Sequence, residues 1–156
     1  MKLRPLLCLI SIGTAITLLS ACDDSAKDTH PDKLVSKRQA IFKKFTKTLE
    51  PLGLVARDRA DYVKADVMAS ALALQELSQQ PWVYFSAEGN YQPSRAKPEI
   101  WTQADTFKKS QTSYVAAVDQ LVAVSGTGNL PDIKTAVDEV QKNCKNCHDQ
   151  FRLDRK

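Results

Sequence analysis

The chain has 156 residues, 43% of them hydrophobic and 26% charged, enough apolar material for one core and too little length for several domains. Its 22 basic and 18 acidic residues leave a formal charge of only +4, which argues against nucleic acid as a partner.

Lys2 and Arg4 precede an apolar stretch over 6–19, and Leu19-Ser20-Ala21-Cys22 closes it with small residues. This pattern predicts a secretory signal peptide over 1–21, too short to span a membrane comfortably as a mature anchor. The ending resembles a bacterial lipobox, in which Cys22 is lipidated and becomes the mature N-terminus. Ordinary cleavage and an uncleaved anchor are the alternatives. Removing 21 residues and their two basic charges leaves 135 residues with a formal charge of +2, one domain. The expected location is the periplasm, with the lipid in a bacterial membrane. Asp23 and Asp24 resemble an inner-membrane retention signal, while the outer membrane stays open. Residues 22–32 lack an apolar period and are expected to form the lipidated N-terminus and a tether. About ten flexible residues reach on the order of 15 to 20 Å. His30 lies in this tether and is expected away from any site.

Four stretches beyond it show helical periodicity, and none shows sustained alternation. The first carries Leu34, Arg38, Ile41, Phe45 and Leu49, after which Pro51 and Gly53 predict a kink or a stop. The second carries Val63, Val67, Ala71, Leu74 and Leu77. The connection over 81–101 is long for a bundle and is a candidate cover for a bound group. Thr102 and Asp105 resemble a capping box opening the third helix, which presents Phe107, Tyr114, Val118 and Leu121. Residues 126–131 break the chain, and Asn129 is the expected cap of the fourth helix. That helix carries Ile133, Val137, Val140, Cys144, Cys147 and Phe151 on one stripe. The pattern predicts an all-α fold over 33–156: a left-handed antiparallel four-helix bundle, an architecture that builds cofactor sites between facing helices.

Cys144-Lys145-Asn146-Cys147-His148 is a C-x-x-C-H run that ends eight residues before Lys156. This spacing reads as covalent c-type haem attachment. Two thiols three positions apart can each form a thioether to one vinyl group, and His148 then offers its imidazole to the iron. A redox dithiol and a half zinc site are the alternatives. A thioredoxin-type pair opens a helix after a strand, whereas this one closes the chain; a zinc site needs two further ligands, and the only other histidine is His30. Every cysteine then has a fate: Cys8 leaves with the signal, Cys22 carries lipid, and Cys144 and Cys147 carry one haem. The stripe places the porphyrin inside the bundle with an edge toward solvent. Lys142, Lys145, Arg152, Arg155 and Lys156 gather nearby, either as a docking face for an acidic redox partner or as a helix end whose cations suit its dipole.

These features together resemble cytochrome c′. The likeness covers nearly all of residues 33–152 and rests on Lys37-Arg38-Gln39-Ala40, Pro81-Trp82 with Phe85, Lys97-Pro98-Glu99-Ile100-Trp101, and the ending from Cys144 to Arg152. The resemblance implies that Arg38 and Gln39 lie by the haem propionates, where a guanidinium can engage both carboxylate oxygens. It also implies that His148 is the axial iron ligand and that Arg152 lies by the proximal pocket. Arg95 and Lys97 could reach a propionate, and Trp82 and Phe85 could touch the haem or simply pack.

Electron carriers of this bundle type place a methionine ligand four residues after the arginine, where this chain has Phe42. The expectation is therefore five-coordinate haem with Phe42 lining an apolar distal pocket, since Met68 reads as packing. An open axial position favours binding of a small gas, most of all nitric oxide, which bonds ferrous iron without help from a polar donor. Buffering nitric oxide is the leading reading. Electron transfer between membrane and periplasmic partners is the alternative, and a catalyst ranks last because nothing polar is placed to act as a distal acid or base. The resemblance also implies a possible homodimer through the first two helices.

Overall fold

The computed structural model describes residues 27–154. Its helices are α1 (Leu34–Ala56), α2 (Lys64–Ser78), α3 (Glu99–Thr102), α4 (Ala104–Thr127) and α5 (Leu130–Phe151), with 3-10 turns over Trp82–Phe85 and Ala87–Gly89. The four long helices form the bundle, and α3 is a single turn leading into α4. Helix α1 packs on α2, α2 on α4, α4 on α5 and α5 back on α1, which closes a square. Neighbours run antiparallel: Gln75 of α2 bonds Asp119 of α4, while Met68 reaches Gly126.

Apolar spacing dictates what each helix buries. Ile41, Phe45, Leu52 and Val55 of α1 meet Val67, Ala71 and Leu74 of α2 in one core. Tyr114, Val118 and Leu121 of α4 and Ile133, Val137 and Val140 of α5 complete it. Each of the valine, leucine, isoleucine and phenylalanine side chains stabilises the fold by about 1.5 to 3 kcal/mol through loss of water contact.

Several local expectations are corrected. Neither Pro51 nor Gly53 stops α1, which continues to Ala56 with Pro51 inside it. The missing proline N–H costs one helical bond, and burial of Leu52 and Val55 on the next turn outweighs it. Val63 is the residue before α2 and is 48% exposed, so the α2 seam begins at Val67. The capping box is absent: Thr102 ends α3 with its hydroxyl donating to the Pro98 carbonyl, and α4 starts after Gln103 without a side-chain cap. Asn129 does stand at the N-cap of α5, but through its backbone carbonyl, which accepts from the Ile133 amide. The break before α5 is short, because α4 runs through Gly126 and turns at Gly128, whose φ of 78° suits glycine.

The start of the chain's ordered contacts is also earlier than a free tether implies. The buried Asp28 carboxylate accepts from the Ser36 amide, the His30 amide and the Tyr91 hydroxyl. His30 stacks on Tyr91 with ring centres 4.3 Å apart. Residues 28–36 are thereby fastened to the long connection.

Candidate haem site

The stripe of α5 that buries Ile133, Val137 and Val140 continues into two half-buried thiols. Cys144 packs against the main core, and Cys147 against a second cluster of Ile100, Phe107 and Phe151. Neither is in a disulfide. Burial pushes the Cys144 thiol up to about 11, with nearby Cys147 adding to the shift. Burial likewise pushes Cys147 up to about 11 against the pull of Arg152. Loss of water and the charges of Arg152 and Arg95 push His148 down to about 4, so its imidazole is neutral and offers a lone pair.

Facing the thiols is a box of aromatic rings. Phe42 lies 5.3 Å from Phe45, Phe45 stacks at 5.4 Å on Tyr114, Tyr114 meets Trp82 at 6.4 Å, and Trp82 returns to Phe42 at 6.1 Å. Trp82 and Phe85 extend the cluster to Phe107, which meets Phe151 edge-on at 5.2 Å. The 3-10 turn after α2 delivers Trp82 and Phe85, and the Trp82 indole is fixed by donating to the Ser78 carbonyl at 2.7 Å.

Arg38 projects from α1 and is only 3% exposed. Its guanidinium donates to the Tyr84 carbonyl at 2.7 Å, the Gly89 carbonyl at 3.0 Å and the Ser94 hydroxyl at 2.6 Å, and it covers the Phe85 ring at 4.5 Å. Three of its five N–H groups thus hold the connection, which leaves two for a carboxylate. Gln39, one helical step round, is exposed and does not join Arg38. Not even alanine could replace Gly89 without a shift, since an added Cβ would stand 2.7 Å from the Tyr84 carbonyl oxygen and 2.8 Å from Arg38 Nη1.

The connection also clamps the end of α5. Arg95 donates twice to the Leu153 carbonyl, Lys97 donates from its amide to the Phe151 carbonyl and from its ammonium to the Asp149 carbonyl, and Ala96 bridges Arg152. Arg95 and Lys97 therefore sit beside the His148 end. Arg152 Nη1 lies 3.4 Å from His148 Nε2, which places the predicted proximal residue next to the predicted ligand. Lys142 pairs with Glu139 and Lys145 with Asp149 on the exposed side of α5. Cys8, Cys22, Arg155 and Lys156 lie outside the described residues.

Met68 is far from this constellation. Its methyl lies beside Gly126, twelve residues along α4 from Tyr114, or roughly 18 Å at 1.5 Å per residue. Sequence reading did not single out Phe45, Tyr114, Phe107 or Ser94, all of which belong to the site's surroundings. Aromatic residues on a seam look like ordinary core until the helices are placed. The residues present fit a haem: two thiols three positions apart on one helix, a neutral imidazole beside them, rings to flank a porphyrin, and a buried Tyr114 hydroxyl without a partner among the described residues.

Comparison with known proteins leads to the same chemistry. The family model described as Cytochrome C′ matches residues 33–152. The chain is 31% identical over 124 residues to cytochrome c′ of Alcaligenes xylosoxydans, spanning 78% of this chain and 94% of that protein. It is 33% identical over 124 residues to cytochrome c′ of Rubrivivax gelatinosus, spanning 78% and 95%. Among solved structures, a nitric oxide complex of a cytochrome c prime variant from Alcaligenes xylosoxidans superposes with a TM-score of 0.76 at 28% identity, over 83% of this chain and 100% of that one. A carbon monoxide-bound variant of the same protein has a TM-score of 0.76 at 28% identity, over 82% and 100%. With the bundle, the C-terminal thiols and imidazole, and these relatives in agreement, the chain belongs to the cytochrome c′ family.

Proposed function

We propose that this protein binds a small diatomic gas, nitric oxide foremost by chemistry, and limits nitrosative damage by buffering it. Family membership implies haem c as the cofactor. In this reading one haem is held covalently by Cys144 and Cys147, His148 is the axial ligand, the two spare N–H groups of Arg38 serve a propionate, and Arg152 stands at the proximal side. The haem, when bound, would supply an iron able to take a small gas. The observation that carries the reading is the ring box: Phe42 stands among Phe45, Trp82 and Phe85, hydrocarbon surfaces that cannot ligate iron, while Met68 lies at the other end of α4. The nitric oxide and carbon monoxide complexes among the structural relatives support it.

The protein acts as a binder rather than an enzyme in this reading. Signal cleavage before Cys22, lipidation there and a periplasmic site complete it, with the 28–36 fastening holding the domain close to the membrane. Pairing of two copies through α1 and α2 belongs to the same reading. The deciding experiment is the absorption spectrum of the ferrous protein before and after nitric oxide and carbon monoxide. A high-spin spectrum and a nitric oxide adduct are expected; a low-spin spectrum unmoved by either gas would favour electron transfer. That second reading draws on the cations Arg95, Lys97, Lys145 and Arg152 around the His148 end, a surface suited to an acidic redox partner.

A further inference from the structure

One atom in the ring box is polar and has nothing to bond. Tyr114 is 5% exposed, and its hydroxyl is buried without a hydrogen-bond partner among the described residues. A buried hydroxyl left unpaired is destabilising, and phenylalanine would make the same ring contacts without that cost. The cost is recovered only when something inside the box accepts the hydrogen.

The position of Tyr114 says which side of the site it serves. Its ring stacks on Phe45 and meets the edge of Trp82, and both of those rings also touch Phe42. Tyr114 therefore borders the same space as Phe42. His148 has its own charged neighbours in Arg152, Arg95 and Asp149. Burial first, and the neighbouring Cys144 second, push the phenol well above its ordinary range, so it keeps its proton and has an O–H to donate in the resting protein.

From this arrangement we infer that the Tyr114 hydroxyl donates a hydrogen bond to a diatomic ligand bound on the Phe42 side, and so favours ligands whose outer atom gathers charge over apolar ones of equal size. The inference rests on the gas-binding reading and adds a specificity residue to it. Phe42 excludes by size; Tyr114 selects by polarity. A bond of this kind contributes roughly five- to tenfold in ligand lifetime.

The test compares the holoprotein with Tyr114→Phe, which keeps the ring and removes only the hydroxyl. With nitric oxide as the probe, the natural protein is expected to show an N–O stretching frequency that moves in heavy water, and Tyr114→Phe a higher frequency that does not. Dissociation of nitric oxide should be about five- to tenfold faster in the variant, and that of carbon monoxide changed less than about twofold. The gas-free melting temperature of the variant should equal or exceed that of the natural protein. A loss would mean that the hydroxyl already has a partner at rest, which overturns the inference. Identical stretching frequencies in two proteins that both bind nitric oxide overturn the role of Tyr114 alone. Failure of both to bind nitric oxide overturns the gas-binding reading and this inference with it.

Discussion

Nη1 of Arg152 lies 3.4 Å from Nε2 of His148, one helical turn away, while the Arg152 amide donates to the His148 carbonyl. A guanidinium only donates, so this contact uses the Nε2 lone pair that a metal would take, and with iron bound there Arg152 would act on the ring through its charge rather than through this bond. Arg152→Ala is expected to leave haem content unchanged and to shift the iron–histidine stretching frequency of the ferrous protein, because a positive charge beside the ring is removed. An unchanged frequency would remove Arg152 from that role.

Phe42 contributes one wall of the box through edge contacts with Phe45, Trp82 and Phe85. Phe42→Ala should cost about 2 to 3 kcal/mol of stability, below a fully buried phenylalanine because Phe42 is only half-buried. Gas entry should quicken by about tenfold or more, corresponding to about 1.4 kcal/mol of barrier, and carbon monoxide affinity should become measurable. Unchanged stopped-flow kinetics would show that Phe42 does not gate the pocket.

Arg38 links α1 to three acceptors spread over residues 84–94. Arg38→Ala strands two carbonyls and a hydroxyl, and should cost about 3 kcal/mol. Arg38→Lys should recover less than half of that, since one ammonium cannot span the fork. Denaturant unfolding measures the loss, and faster amide exchange confined to 84–94 would show that the connection is what loosens.

Burial alone would raise the Asp28 carboxyl, but bonds from Ser36, His30 and Tyr91 outweigh it and hold the group below its ordinary 3.8. A depressed folded value means that the stabilisation is present above 3.8 and is lost as pH falls through the folded value. The Ser36 amide shift in NMR should therefore titrate with a midpoint below 3.8, and Asp28→Asn should speed exchange of that amide at neutral pH. A midpoint at or above 3.8 would contradict the fastening.

Covalent attachment through both thiols is testable by mass. The denatured natural protein should carry the mass of one haem. Cys144→Ala with Cys147→Ala should carry none, and either single variant should keep a weaker, single link. Loss of haem from the natural protein on denaturation would refute the thioether assignment.

The C-x-x-C-H run, the four apolar seams and the phenylalanine at position 42 were legible in the chain because each is local: spacing along one helix fixes which side chains share a face. Pattern alone could not reveal that α1 runs through Pro51, because the burial of Leu52 and Val55 that outweighs the lost hydrogen bond is made against neighbouring helices. Nor could it show Asp28 and His30 against Tyr91, 63 and 61 positions away in a stretch with no periodic signal. The sequence by itself determined the cofactor chemistry and the helical fold. Only the tertiary structure decided that Arg38 spends most of its donors on the connection and that Tyr114 joins the aromatic cluster with its hydroxyl buried and without a partner among the described residues. Both are relations between separate helices or loops, set by packing rather than by any interval along the chain.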